Sequence, residues 1–171
     1  MEKAELEGYY DAHAEDLFRY FLAFTRSEAD ARDLLQDLFV KLARNAGCLE
    51  GVKSERAFLL RMARNLAVDR LRRGQVRRRR EGECARGKGP GTMFTRAGDP
   101  DEAQFRAGLE EALRDLPEEQ RGVVFLKLWQ GLTFEEVAAV EGISPNTAAS
   151  RYRYGIDKLR ARLRPLYEEI R

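Results

Sequence analysis

The stretch from Gly131 to Leu163, GLTFEEVAAVEGISPNTAASRYRYGIDKLRARL, constrains what this chain can fold into more than any other. Thr133 followed three residues later by Glu136 is a capping box, in which side chain and backbone satisfy each other's orphan donors at a helix start. Phe134, Val137 and Ala138 then supply a short apolar face, and Gly142 supplies a turn. Ser144 caps a second helix with Pro145 at its first position, where the missing N–H leaves nothing unpaired. That helix runs on through Arg151, Arg153 and Lys158, polar and cationic at its start. Two helices joined by a Gly-containing turn match the arrangement by which a recognition helix enters the DNA major groove. On these residues alone an ordinary helical hairpin with a solvated basic face stands beside that reading.

The chain ahead of this stretch is helical too. No strand-like alternation occurs in residues 1–73. Leu17, Phe18, Phe21 and Leu22 form one apolar stripe; after the cap Ser27, with Asp30 at its third position, Ala31, Leu34, Leu35, Leu38, Phe39 and Leu42 recur at helical spacing. Between them lie Arg32, Asp33, Gln36, Asp37 and Lys41, either a solvated face or a docking surface. Ser54 caps a third helix in which Phe58, Leu59, Met62, Ala63 and Leu66 gather on one side and Arg61, Arg64, Asn65, Asp69 and Arg72 on the other. Arginine neutralises phosphate, whereas Asn and Asp suit base edges, so this polar face fits nucleic acid as well as it fits an exposed face laced with Asp–Arg pairs. Seven arginines between Arg70 and Arg80, with no acid among them, would repel one another unless phosphates or counter-ions accompany them.

Residues 81–100, EGECARGKGPGTMFTRAGDP, hold five glycines and two prolines and no periodicity, the composition of a flexible linker. Met93 and Phe94 are its only large apolar residues. Beyond it Phe105, Leu109, Leu113 and Leu116 begin a second helical set, and Pro117 starts a helix containing Val123, Val124, Leu126, Leu128 and Trp129. The expected fold is therefore all-α: residues 1–80 a helical domain, 81–100 a flexible linker, and 101–171 a helical domain ending in the helix-turn-helix.

Charge follows this division. The net +2 averages segments of −4 (residues 1–60), +8 (61–100) and −2 (101–171). A positive belt in an otherwise acidic chain is the footprint of a polyanionic partner, and an acidic first part argues against indiscriminate coating of DNA. No apolar run approaches the ~20 residues that span a bilayer, and the start MEKAELEGYY is unlike a signal peptide, so a cytoplasmic location is expected. Cys48 and Cys84 lack metal-ligand spacing and read as free thiols. No catalytic set emerges: His13 is the only histidine, neither cysteine has a neighbouring base, and Glu118–Glu119 and Glu135–Glu136 stand at helix starts where the dipole accounts for them. Two other classes remain to be weighed. A free-standing dimeric helix-turn-helix regulator would bind a palindrome by itself. A recombinase or nuclease would need a nucleophilic Ser or a metal-binding carboxylate cluster, whereas Ser27 and Ser54 both read as caps.

Three segments in order carry a family resemblance: DLLQDLFVKLAR, then AFLLRMARNLAVDRLRR, then, after the linker, LRDLPEEQRGVVFLKLWQGLTFEEVAAVEGISPNTAASRYRYGIDKLR. They resemble bacterial RNA polymerase sigma factors of the extracytoplasmic-function group, which keep conserved regions two and four. The resemblance implies a non-enzymatic initiation factor that binds core RNA polymerase, directs it to promoters and helps melt them, with no cofactor, metal or small-molecule substrate, and in many members an inhibitory anti-sigma factor. It implies that Asp33, Leu34, Gln36, Asp37, Leu38 and Phe39 dock on the clamp helices of the polymerase largest subunit. It assigns Arg61, Arg64, Asn65, Asp69, Arg70, Arg72 and Arg73 to the minus-ten element, melted and held by an unstacked base. The minus-thirty-five element falls to Thr133, Asn146, Thr147, Ala149, Ser150, Arg151, Arg153 and Tyr154.

The chain also departs from the family pattern. Phe58 stands where tryptophan is frequent, Ala148 and Tyr152 replace aliphatic core residues, and Gly155 replaces alanine at a helix-interior position where glycine costs up to ~1 kcal/mol. Ala149 and Tyr154 occupy positions often basic in relatives, and Arg153 one often hydrophobic or His, so the promoter sequence is this chain's own. The linker would average ~25 Å as a free coil, against the ~70 Å that separates promoter elements two helical turns apart. A larger body that sets the separation is implied, and core polymerase is that body.

Overall fold

The computed structural model describes residues 3–25, 27–45, 47–81 and 100–170, which form seven α-helices and no strand. Helices α1 (Lys3–Thr25), α2 (Glu28–Arg44) and α3 (Glu55–Glu81) make a first unit; α4 (Pro100–Asp115), α5 (Glu118–Leu128), α6 (Phe134–Glu141) and α7 (Pro145–Ile170) make a second. The expected linker lies outside the described residues except for its ends, Glu81 closing α3 and Pro100 opening α4. Cys84, Met93 and Phe94 lie outside them as well. Among the described residues no helix is long and apolar enough to cross a membrane.

In the first unit, Ser27 caps α2 by accepting from the Asp30 amide at 3.3 Å, and Ser54 caps α3 by accepting from the Ala57 amide at 3.2 Å. Helix α1 packs on both α2 and α3, so its C-terminal half is covered broadly and its apolar stripe widens to Leu17, Tyr20, Phe21, Leu22, Ala23 and Phe24, all buried. Tyr20 was not legible as a core residue, because a tyrosine in a stripe signals a half-wet position; here it tilts against Phe24 with centroids 4.7 Å apart. Phe18, expected in the stripe, is only half-buried. From α2 come Ala31, Leu34, Leu35, Leu38, Phe39 and Leu42, and from α3 Leu59, Leu60, Ala63, Leu66 and Ala67. Each fully buried leucine contributes about 1.5–3 kcal/mol. Helix α3 continues through Gly74 and the arginine run to Glu81.

In the second unit α7 is the central element, contacted by α4, α5 and α6. Ala112, Leu113, Leu116, Val124 and Leu159 share one core, with Leu109, Trp129, Tyr152, Ile156 and Leu163 packed against it. Pro117 stands one residue ahead of α5 rather than inside it. Arg121, only 6% exposed, is the buried cation of this unit: Nε donates to the Leu113 carbonyl at 3.0 Å, and Nη2 donates to those of Leu116 at 2.8 Å and Arg114 at 3.1 Å. It thereby caps the carbonyls at and just after the end of α4, adding to the 3.3 Å bond that the Leu113 carbonyl accepts from the Leu116 amide.

Candidate nucleic-acid interface

The helix-turn-helix forms from the residues that announce it. Thr133 Oγ1 accepts from the Glu136 amide at 3.2 Å, and Glu136 Oε2 accepts from the Thr133 amide at 2.8 Å. Gly142 closes α6 at φ 68°, the left-handed conformation open to glycine. Ser144 Oγ accepts from the Thr147 amide at 3.1 Å and lies 2.8 Å from Thr147 Oγ1. Lys127 Nζ donates to the Leu132 carbonyl at 2.8 Å and sits 4.9 Å from the Phe134 ring centroid, tying the entry loop to α5 and α6. The hinge between the two helices is thus held at both ends. Ala148 is fully buried, and Tyr152 lies half-buried, edge-on to Phe134 at 5.6 Å.

On the outer side of α7, Asn146, Thr147, Ser150, Arg153 and Tyr154 are exposed, Ala149 is half-exposed, and Thr133 is exposed at the preceding cap. Arg153 stacks over the Tyr154 ring at 5.2 Å, which holds an exposed cation and an exposed aromatic together. Arg151 is differently placed: its Nη2 lies 2.8 Å from Glu119 Oε2 of α5, with 25% of its side chain exposed. It therefore does not share the free surface of the other expected contacts. Glu119 had no signal in the sequence, standing 32 residues away and reading as a helix-start acid.

On α3, Arg61, Asn65, Asp69 and Arg72 are exposed opposite the buried Leu59, Leu60, Ala63, Leu66 and Ala67, with Arg64 half-buried at the edge, whereas Arg70 and Arg73 are exposed one turn and two turns beyond Leu66 on the core side. Arg64 Nη1 lies 3.4 Å from Asn65 Oδ1. Arg70 reaches across to α2, 2.6 Å from Asp30 Oδ1 and 3.7 Å from Asp33 Oδ2. The hydrogen bond from Arg70 to Asp30 is the largest influence on its guanidinium and raises its pKa above the ordinary value. The side chains of residues 75–80 lie outside the description, although their backbone is helical.

On α2 the expected docking residues divide. Asp33, Gln36 and Asp37 are exposed, but Leu34 (2%), Leu38 (0%) and Phe39 (7%) are core, because they lie on the face that α1 and α3 cover. Of the six expected docking residues, only Asp33, Gln36 and Asp37 are thus open to a partner. Beside them runs an apolar groove of about 720 Å³ between α1 and α2, lined among others by Leu6, Tyr10, Phe18, Leu35 and Val40, with the Arg32–Glu28 ion pair on its rim. Tyr10 and Val40 are 49% and 41% exposed, and Tyr10 packs against Phe39 at 4.9 Å. The sequence did not single out these residues: Leu6 and Tyr10 extend the spacing of Leu17 and Phe21 back along α1 but are separated from that stripe by the largely polar run Asp11–Asp16, and Val40 lies off the core spacing of α2. Among the described residues no group of three or more His, Cys, Asp or Glu could hold a metal ion.

Comparison with known proteins agrees with this division into two units. The family model for sigma-70 region 2 matches residues 9–78, and that for sigma-70 region 4 matches residues 106–159. The chain is 32% identical to the RNA polymerase sigma factor CarQ of Myxococcus xanthus, over 96% of this chain and 92% of that protein. It is 28% identical to the ECF RNA polymerase sigma factor SigL of Mycobacterium tuberculosis, with the same two coverages of 96% and 92%. Among solved structures, the sigma factor RpoE from Bartonella quintana, crystallised with the anti-sigma factor NepR, shares the fold with a TM-score of 0.74 at 24% identity, covering 95% of this chain and 96% of that one.

Proposed function

This chain belongs to the RNA polymerase sigma factors, in the extracytoplasmic-function group, and on that premise we propose that its two helical units divide promoter selection between them. The first unit docks on core polymerase through α2 and engages and melts the minus-ten element through α3. The second reads the minus-thirty-five element through the start of α7. The observation that carries this division is the polar face of α3: Arg61, Asn65, Asp69 and Arg72 exposed in one helix whose opposite face is buried. Arginines on that face hold the backbone of a single strand, while Asn65 and Asp69 offer hydrogen bonds to an unstacked base, offsetting the few kcal/mol that unstacking costs.

Docking rests on Asp33, Gln36 and Asp37 together with the adjoining groove, whose apolar floor and charged rim suit a helical partner with cationic flanks. Phosphodiester synthesis belongs to the polymerase and the chain contributes selection, acting in the cytoplasm where core polymerase works. An anti-sigma factor is a further partner on this reading, supported by the likeness to a relative crystallised with one.

Asn65→Ala or Asp69→Ala tests the melting role. Each is expected to lower open-complex formation, read by permanganate reactivity, by about tenfold, the equivalent of one lost hydrogen bond of ~1.5 kcal/mol. Closed-complex formation on the same duplex should be unchanged. Equal loss in both steps would remove these residues from melting.

A further inference from the structure

One cation of the recognition helix is turned away from the surface its neighbours share. Arg151 lies between the exposed Ser150 and the exposed pair Arg153 and Tyr154, yet its guanidinium is held 2.8 Å from Glu119 Oε2. Glu119 stands in the first turn of α5, where the helix N-terminus favours an ionised carboxylate. One turn further along α7, Gly155 meets the same helix: a Cβ there would lie 2.6 Å from Val124 Cγ2 and 3.6 Å from Gln120 Cβ. Residues 151 and 155 share a face of α7 at a spacing of four, so the ion pair sits at the edge of a tight helix contact. That contact sets α7 against α5 beside Arg151, and Glu119, its own side chain 69% exposed, pairs with the Arg151 head at 2.8 Å.

We infer that Glu119 is a positioning residue that sets how strongly the second unit holds the DNA backbone, an inference that rests on reading this unit as the minus-thirty-five reader. A guanidinium on the first two turns of a recognition helix stands beside the groove walls, and its default partner is a phosphate. Glu119 supplies an alternative anion and withholds Arg151 from that contact. Base reading is left to Asn146, Ala149, Ser150, Arg153 and Tyr154, which differ in the groups they offer to base edges. A phosphate contact adds affinity to every sequence alike, so its suppression lowers general adhesion without touching selectivity.

The test uses holoenzyme reconstituted from bacterial core and the full chain: wild type, Glu119→Gln, Arg151→Gln and the double variant. Each is titrated, across a salt series, with a duplex carrying a promoter selected by the wild-type holoenzyme and with one whose minus-thirty-five element is scrambled. Glu119→Gln should bind both duplexes more tightly by the same factor, and its plot of log K against log salt should steepen by about 0.9, the value of one phosphate contact. A fourfold rise in salt then weakens it about 3.5-fold more than wild type. Arg151→Gln and the double variant should keep the wild-type slope. Weakened binding by both single variants at unchanged slope would mean the pair is only a structural tie and would overturn the inference. A shallower slope for Arg151→Gln would overturn it too, since Arg151 would already be on a phosphate. If the wild-type holoenzyme fails to distinguish the duplexes, the minus-thirty-five reading falls and takes the inference with it; discrimination with an unchanged Glu119→Gln slope removes the inference alone.

Discussion

Gly155 shows what one absent side chain does for the second unit. At this helix-interior position alanine would be favoured over glycine by about 1 kcal/mol on propensity alone. Here the Cβ would meet Val124 Cγ2 at 2.6 Å, and Val124 is fully buried and stiff at χ1. Overpacking of that kind costs about 1–3 kcal/mol, more than the propensity gain. Gly155→Ala should therefore destabilise the protein by ~1 kcal/mol in urea unfolding. In a Val124→Ala background, where the space is open, the same change should stabilise. An unchanged sign in the two backgrounds would show that contact with Val124 is not what selects glycine. The sequence exposed the anomaly at 155 but not its cause, because the partner lies 31 positions away on another helix.

Helix α2 works with two faces that the sequence presented as one list. Its periodicity marked Leu34, Leu38 and Phe39 as apolar and Asp33, Gln36 and Asp37 as polar, and the resemblance placed all six on one docking surface. Burial separates them. Asp37→Lys should weaken binding to core polymerase by about tenfold in a fluorescence titration while leaving the unfolding midpoint in place. Leu38→Ala should do the reverse, costing about 2–5 kcal/mol of stability through the cavity it leaves. Unchanged core affinity of Asp37→Lys would take that residue off the surface. What was legible at this scale was local: the Thr133–Glu136 box, the Ser27, Ser54 and Ser144 caps and the Gly142 turn all depend on residues within a few positions of one another. What was not legible was pairing across helices. Arg70 with Asp30, Arg151 with Glu119, and Arg121 on the carbonyls ending α4 are set by packing, and no period or spacing announces them.

At the scale of the molecule, the chain places acids and bases where its partners differ. Residues 1–60 are net acidic and carry α2, the helix we propose for docking, whereas residues 61–100 hold the positive belt. Arg70 joins the two regions: by pairing with Asp30 and Asp33 it ties α3 to α2, so the two surfaces we propose for promoter and polymerase adjoin within one unit. In the proposed division each unit offers DNA a modest set of contacts, and promoter elements ~70 Å apart call for a larger body to set their separation. Promoter selectivity should thus belong to the assembly with core polymerase and not to the chain alone. The direct measurement is run-off transcription by bacterial core polymerase on a randomised promoter library, with and without this chain, alongside DNA binding by the chain alone. Transcripts starting from a shared pair of promoter elements should appear only when chain and core are together. Their absence with every core tried, combined with tight binding of a palindromic site by the chain alone, would contradict the assignment and point to a dimeric regulator.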